Sequence, residues 1–424
     1  MWVLELNDAE ITLSRDGTVA YQEPGIASLA GRTPTFGNDA LATARLDPRR
    51  SENQYFARMN GEPVHATAPG VANQADLVYR HLRQIAQGAD LDGAAVHLVV
   101  PSTSTPDQLG LLLGIAQEAG IAVASLLDAA VAAACTASLP AQARLLDISL
   151  HRASVATLAC ESTVRRVAAE EVAEAGLLRL LEGWVDAVAD RFVAETRFDP
   201  LTIAAAEQQV FDQVYAAIAK AGNGAPAELT VEVAHQGDTR TVDLPLSALA
   251  GKSAQRYEVL SQHIGAPTTL ALTRRAQRLP GLDALLAGLG HTVVRLDAGA
   301  SRAGVEASAD TLEAGDGVSF VSAVAARHHV APAAVAEAAG THLLCGAVAV
   351  PLRDGLEAAE HPEARDLGAA FRIVRRDAGH HVVPVSDVPV SLNGQPIVGE
   401  TSVAAGAVIE TRGRAFRIVR VIER

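Results

Sequence analysis

Apolar and polar positions along the chain follow two periods, and their succession predicts the elements. Residues 2–6 (WVLEL) and 11–14 are short apolar runs that predict strands, with Arg15-Asp16-Gly17 as a hairpin turn. Residues 75–87 (ADLVYRHLRQIAQ) repeat at helical spacing and predict an amphipathic helix. The apolar run 96–100 is a strand stopped by Pro101. Thr105 then stands as an N-cap, with Pro106 at the first helical position and Asp107 in the first turn. Leu109, Leu112, Leu113 and Ala116 form the buried stripe of that helix, and Gly120 closes it. Residues 121–124 predict a strand leading into an alanine-rich helix after Asp128. Strand, helix, strand, helix is an α/β pattern.

Further along, residues 145–158 read as apolar strands on either side of Asp147. A long helix is predicted over 172–196 and a second over 201–219, with Asp199 as its N-cap and Pro200 at its first position. Residues 229–234 and 239–244 alternate around Gly237-Asp238 as a hairpin, and a helical segment starts at Ser247. Residues 268–296 read strand, loop, helix, strand, and residues 313–339 read as a helix-like, Ala-rich connector. From about residue 341 the chain alternates in short runs punctuated by Pro and Gly, which predicts a small β-sandwich.

Composition narrows the class. A chain of 424 residues, 49% apolar, suggests two to three domains with a large core filled by Ala, Leu and Val, since aromatics make up only 4%. The net charge of −14 argues against nucleic acid as partner, because phosphate neutralisation needs a basic face. The longest apolar stretch, residues 120–139, contains Asp128 and reads as a buried helix, so no membrane span is expected. Met1-Trp2-Val3 shows no charged leader region, and the three cysteines (Cys135, Cys160, Cys345) sit far apart in apolar surroundings. Both features predict a cytoplasmic protein. The histidine pairs His328-His329 and His380-His381 lack the spacing that gathers four ligands, so no metal site is expected.

The stretch 100–134 resembles a segment of DnaK-type heat-shock chaperones whose family pattern runs VPA, helix, AGL, strand, NEPTAAALAYG; here EAGIAVASLLDAAVAAA aligns without a gap. Phe36-Gly37 through Pro48 resembles the family's VGxxAKxxAxxNP, Arg256-Tyr257-Glu258-Val259-Leu260 its RxxFExL, and Arg278-Leu279-Pro280-Gly281-Leu282 the second half of its adenosine-contacting GGS(S/T)R(I/L)Px(L/V). The resemblance covers residues 1 to about 310 in collinear order. It implies an α/β fold of the actin type: two lobes, each ribonuclease-H-like, facing a nucleotide cleft. Lobe I would span 1–165 and lobe II 166–312, with a helical and β insert at about 197–265. A connector at 313–340 and a small β domain at 341–424 would follow.

What the resemblance implies about chemistry depends on the matched positions. The first phosphate loop, IDLGTT in the family, reads Leu4-Glu5-Leu6-Asn7-Asp8-Ala9. Its glycine has become Asn7, and Asp8 adds negative charge where phosphates would lie. The lysine of the VGxxAK stretch falls on Leu41, which reads as packing. The acidic residue of NEP falls on Asp128. The second phosphate loop keeps Asp147 but replaces its glycines with Ser149-Leu150-His151. His151 reads as a structural or solvated hairpin residue rather than a metal ligand or acid/base. The adenine-touching Glu and Lys fall on Glu207 and Val210, and the glycine pair that adenosine lies against falls on Arg274-Arg275. These two cations either fill the cleft or bind an anion.

Glu5, Asp128 and Asp147 are therefore the candidate catalytic carboxylates, and Asn7, Asp8, Ser149, Glu207, Arg274 and Arg275 the degenerate cleft positions. The first reading is a pseudo-ATPase: a non-catalytic, chaperone-like scaffold that engages a protein partner and needs no cofactor. The alternative is a divergent ATPase in which Glu5, Asp8 and Asp147 hold Mg²⁺ and water beside ATP or ADP. A third reading rests on residues 388–394, where Val388 to Leu392 followed by Asn393-Gly394 resembles the Vx(L/V)NG end of forkhead-associated domains. It would make the β tail a phosphopeptide adaptor, although the Gly-Arg and Ser-x-x-His elements of those domains are not recognisable. The first two readings part on whether the carboxylates converge in an open cleft or Leu150, Arg274 and Arg275 plug it.

Overall fold

The computed structural model describes residues 1–91, 93–221, 228–312, 318–327, 341–376, 379–386, 388–392, 395–397, 399–403 and 406–419. The pairs His328-His329 and Asn393-Gly394 lie outside the described residues, as do most of the positions read as a helix-like connector. The protein is mixed α/β, and it divides into two compact units, Met1–Ala331 and Pro332–Arg424.

The first unit is organised around two six-stranded sheets in which the order of five strands repeats, while the sixth strand lies on opposite edges. In the first sheet β1 (Trp2–Glu5), β2 (Ile11–Arg15) and β3 (Thr18–Glu23) form an antiparallel meander. The parallel strands β4 (Ala95–Val100) and β5 (Ala122–Asp128) extend it from the β1 side. In the second sheet β6 (Gln142–Ile148), β7 (Ala153–Cys160) and β8 (Thr163–Val172) repeat the meander. A separate hairpin follows, β9 (Glu228–His235) with β10 (Asp238–Pro245). The parallel strands β11 (Thr269–Leu272) and β12 (Thr292–Arg295) then extend the second sheet from the β6 side. β13 (Phe320–Val321) closes the first sheet beside β5, and β14 (Ala323–Ala325) closes the second beside β8.

Local chemistry explains the helix starts. Helix α1 (Gln74–Gly88) carries a capping box of Asn73 and Asp76, and α2 (Pro106–Glu118) one of Thr105 and Gln108 with Pro106 in its first turn. The Asp128 carboxylate caps α3 (Ala129–Ala134) by accepting from the Ala130 and Val131 amides. The turn after β2 places Asp16 and Gly17 at positive φ, as an RDG hairpin requires.

Four expectations differ from what is found. The strand after Gly120 runs over Ala122–Asp128, longer than the apolar run alone suggested, because it pairs with β4 through to Asp128, with a bulge at Ala124. The helix predicted from 172 begins at Leu177 as α4 (Leu177–Thr196). Of the residues before it, Val172 ends β8 opposite Ala153 of β7, and Ala173–Ala175 form a 3₁₀ turn. Asp199 and Pro200 open a 3₁₀ turn, and α5 (Ala204–Lys220) starts after it. In the connector region, the described residues 318–327 contain β13 and β14 rather than helix, since two sheet edges supply pairing partners.

Three apolar cores fill this unit. One lies under the first sheet, with Leu77, Leu82, Leu112 and Ile115 from α1 and α2. One lies between the sheets, where α3 packs on α6 (Ala300–Ala307). There a Cβ at Gly304 would overlap the Ala132 carbonyl, so only glycine permits the close approach. The third belongs to the second sheet and its helices, and it also takes in Ala9, Ile26, Ala40 and Leu41 from the N-terminal part of the chain.

The second unit contains two antiparallel sheets that share one core of Phe371, Ile373, Val382, Ile409, Phe416 and Ile418. Phe371 and Phe416 meet edge to face, and the buried His361 ring packs edge-on against Phe416.

Candidate functional site

The two meanders bring their first turns together. After β1 the chain folds over Asn7, whose Oδ1 accepts from the Ala9 amide at 2.9 Å. The Asn7 amide group donates across to Asp147 Oδ2 at 3.0 Å and to the Ile148 carbonyl at 3.1 Å. Its neighbour Asp8 accepts from the Leu150 amide at 2.7 Å. Ser149 bonds within its own turn, donating from Oγ to the Arg152 carbonyl at 2.9 Å. The turns that the sequence resemblance matches to two phosphate loops are thus tied to each other by side chains. A glycine loop would offer free backbone amides at this place; here the Leu150 amide is consumed by Asp8.

Arg275 completes the closure. It lies in the short helix Arg274–Gln277, which follows β11 and is capped by Thr273. Its Nε and Nη2 donate to the two oxygens of Asp147, each at 2.9 Å, and Nη2 also donates to Glu5 Oε1 at 2.5 Å. Thr273 Oγ1 and the Ile148 amide both donate to Asp147 Oδ1, at 2.6 and 2.8 Å. With Asn7 this gives Asp147 five hydrogen bonds from its surroundings. A carboxylate has about four lone-pair sites, so Asp147 has no capacity left for a metal or an attacking water.

The charges follow that geometry. Burial alone would raise the Asp147 carboxyl, but the Arg275 charge and the bonds from Arg275, Thr273 and Ile148 outweigh it and hold the group below the usual carboxylate range. Burial disfavours the Arg275 charge too, yet Asp147 and Glu5 keep it firmly protonated. Asp8 behaves oppositely. Its burial dominates and raises it above the ordinary value, although the Leu150 amide and the charges of His151, Arg152 and Arg275 pull the other way.

The remaining sequence candidates lie in two other places. Asp128 is fully buried, and besides capping α3 it accepts from Ser102 Oγ at 2.6 Å and from Arg166 Nε at 2.5 Å. Arg166 comes from β8, so this carboxylate pins the first sheet to the second. Glu207 on α5 pairs with Arg45 at 3.6 Å, and Arg45 lies over the Phe211 ring. The adjacent Gln208 accepts from the Arg45 amide and donates to the Leu41 carbonyl. Leu41 itself is buried in the core of the second sheet, in line with its reading as a packing residue. His151 Nε2 meets the Asn53 carbonyl at 2.8 Å. Among the described residues no group of three or more His, Cys, Asp or Glu side chains could hold a metal ion.

Leu150 is fully buried at the centre of this arrangement. On one side of the tied turns lies a cavity of about 80 Å³, walled by Asp8, Ser102, Ser149, Arg152 and Glu171. On the other lies one of about 420 Å³, walled by Glu5, Glu10 and the arginines 274, 275, 278 and 302. Sequence reasoning missed Glu10, Thr273 and Arg278. Arg278 donates to Glu10 at 2.6 Å across 268 residues of chain, a pairing that no local pattern announces. Thr273 could have been found, because a threonine before a helical turn is an N-cap signal. No protein-family model and no curated protein sequence matches the chain. Among the described residues no helix is long and apolar enough to cross a membrane.

Proposed function

We propose that residues 1–331 adopt a two-lobed actin-like fold of duplicated ribonuclease-H-like halves, related to DnaK-type chaperones, in which the nucleotide cleft is closed by the protein's own side chains. The strand order that five strands of each sheet share supports the duplicated architecture. On this reading the protein is a pseudo-ATPase that works through its surface, as a scaffold or chaperone-like factor for a protein partner.

One observation carries the reading: the Arg275 guanidinium spans Glu5 and Asp147, the two carboxylates that would flank a metal–phosphate group. A fixed cation there supplies the countercharge that Mg²⁺ would otherwise bring, and it cannot leave by dissociation. The test is calorimetric titration of Mg-ATP and Mg-ADP into the whole chain, with thermal unfolding alongside. No heat and no change of Tm at millimolar nucleotide are expected. Saturable micromolar binding with a rise in Tm, as ligand linkage demands, would overturn the reading in favour of a divergent ATPase.

A further inference from the structure

The cavity of about 420 Å³ has a wall chemistry that the closure of the cleft does not use up. Its size falls in the range of small-molecule sites. Four arginines reach it: 274, 275, 278 and 302. Arg275 is committed to Glu5 and Asp147, and Arg278 gives one nitrogen to Glu10. The Nε of Arg278 is nevertheless buried and has no acceptor among the described residues. Arg302 donates Nη1 to the Gly17 carbonyl, while its Nε is likewise buried without an acceptor, Glu306 standing 3.8 Å away. Arg274 makes no hydrogen bond or ion pair with any described residue. The carboxylates of the wall are Glu5 and Glu10, each held by an arginine, and Asp297. Ser301 and Gln22 add polar groups beside them.

A guanidinium donor that is out of water and unpaired is costly, and nearly all such groups in folded proteins find an acceptor. Two donors without a hydrogen-bond acceptor on one wall, beside an arginine with no partner among the described residues, call for an acceptor that those residues do not provide. We propose that this cavity binds a small oxyanion-bearing molecule, a phosphate ester or a polycarboxylate, with Arg274 as its principal ligand and Arg278 and Arg302 as supporting donors. Arginine suits both anions because its planar fork matches two oxygens at once. Asp297 and Gln22 would then accept from hydroxyl or amino groups on the rest of the molecule. A nucleoside is not implied, since Arg274 and Arg275 occupy the positions matched to the glycine pair against which adenosine lies in the chaperone pattern.

The experiment is calorimetric titration of pyrophosphate, citrate and adenosine separately into the full chain and into Arg274→Gln, at low and at physiological ionic strength. Pyrophosphate or citrate should bind one to one and weaken as salt is raised. Whichever of the two binds names the phosphate or the carboxylate source. Arg274→Gln should weaken that binding by at least about tenfold, the loss of one charge-assisted contact. Because Arg274 has no side-chain partner among the described residues, the Tm of the unliganded variant should match that of the parent, which separates lost binding from lost folding. Absence of binding by both anions, or equal binding to Arg274→Gln, would overturn the proposal. Adenosine reports the nucleoside cleft separately, so a failure of the closed-cleft reading stays distinguishable from a failure of this one.

Discussion

Replacing Arg275 with methionine removes the cation that two buried carboxylates share while keeping most of the side-chain volume. Glu5 and Asp147 are each about nine-tenths buried, and the guanidinium between them is 11% exposed. Removing one member of a buried ion pair leaves an uncompensated charge, which typically destabilises by about 3–5 kcal/mol. Unfolding entropy is about 2.1 cal/mol/K per residue, so the unit that ends at Ala331 has roughly 0.7 kcal/mol/K near its melting point. The expected loss is therefore about 4–7 °C in Tm at pH 7. The pH dependence gives the sharper signature. In the parent, the Asp147 pKa is lowered on folding, so its stabilisation is present at neutral pH and is lost only as pH falls through that lowered value. In Arg275→Met, burial without the cation raises the same pKa above its unfolded value, so the folded state prefers the protonated acid. Acidification from pH 7 to about 4.5 should then narrow the gap between variant and parent. The assay is urea denaturation followed by circular dichroism at both pH values. A loss below about 1 kcal/mol at pH 7, or a gap that stays constant down to pH 4.5, would refute the account of Arg275 as a buried countercharge.

Further outcomes follow from the same network. Asp128→Ala removes the cap of α3 and leaves Arg166 without its carboxylate, so a loss of about 2–4 kcal/mol is expected in urea denaturation. Glu207→Gln makes the contrast: its pair with Arg45 is partly exposed and 3.6 Å long, and its stability should stay within about 0.5 kcal/mol of the parent. His81 is fully buried, with its two ring nitrogens against the Tyr21 and Tyr55 hydroxyls, and burial depresses its pKa to about 3. A depressed folded-state value means that the folded state keeps the ring neutral below the ordinary pKa, where the unfolded chain takes up a proton. Stability should fall by about 1.4 kcal/mol per pH unit on this account between about pH 6 and 4, and His81→Gln should flatten that slope in pH-dependent melts.

What the sequence made legible were interactions between near neighbours. Thr105 with Pro106, Asp128 before its alanine run and Arg15-Asp16-Gly17 act over four residues or fewer, and each stands where the pattern placed it. The polar side chains of the first turn were also visible as candidates, because Asn7 and Asp8 replace small residues in a recognisable place. Their partners were not. Asp8 bonds an amide 142 positions away, and Arg275 reaches Glu5 across 270. The predicted helix overran at residues 172–176, where Val172 closes β8 against Ala153 of β7 and a 3₁₀ turn follows before Leu177. The loss of glycines could be read as loss of phosphate room. That the substituted side chains bond one another could be learned only from the fold.

That mutual bonding bears on how the proposed scaffold would behave. A cleft that opens and closes with a nucleotide needs two arrangements of similar free energy, so that a ligand's preference for one can shift the balance. Here the turns after β1 and β6 are joined by Asn7, Asp8 and Arg275, and Leu41 and Ala9 are buried with the core of the second sheet. Opening would expose that apolar contact and strand at least one buried charge at the same time. Each penalty alone is several kcal/mol, which places an open state far below a tenth of a per cent of the population. On the proposed reading, a protein built so does not report nucleotide levels and presents its partner-binding surfaces constantly. The residue that sets this is Arg275, because it is the one contact in the set that carries charge to both sheets.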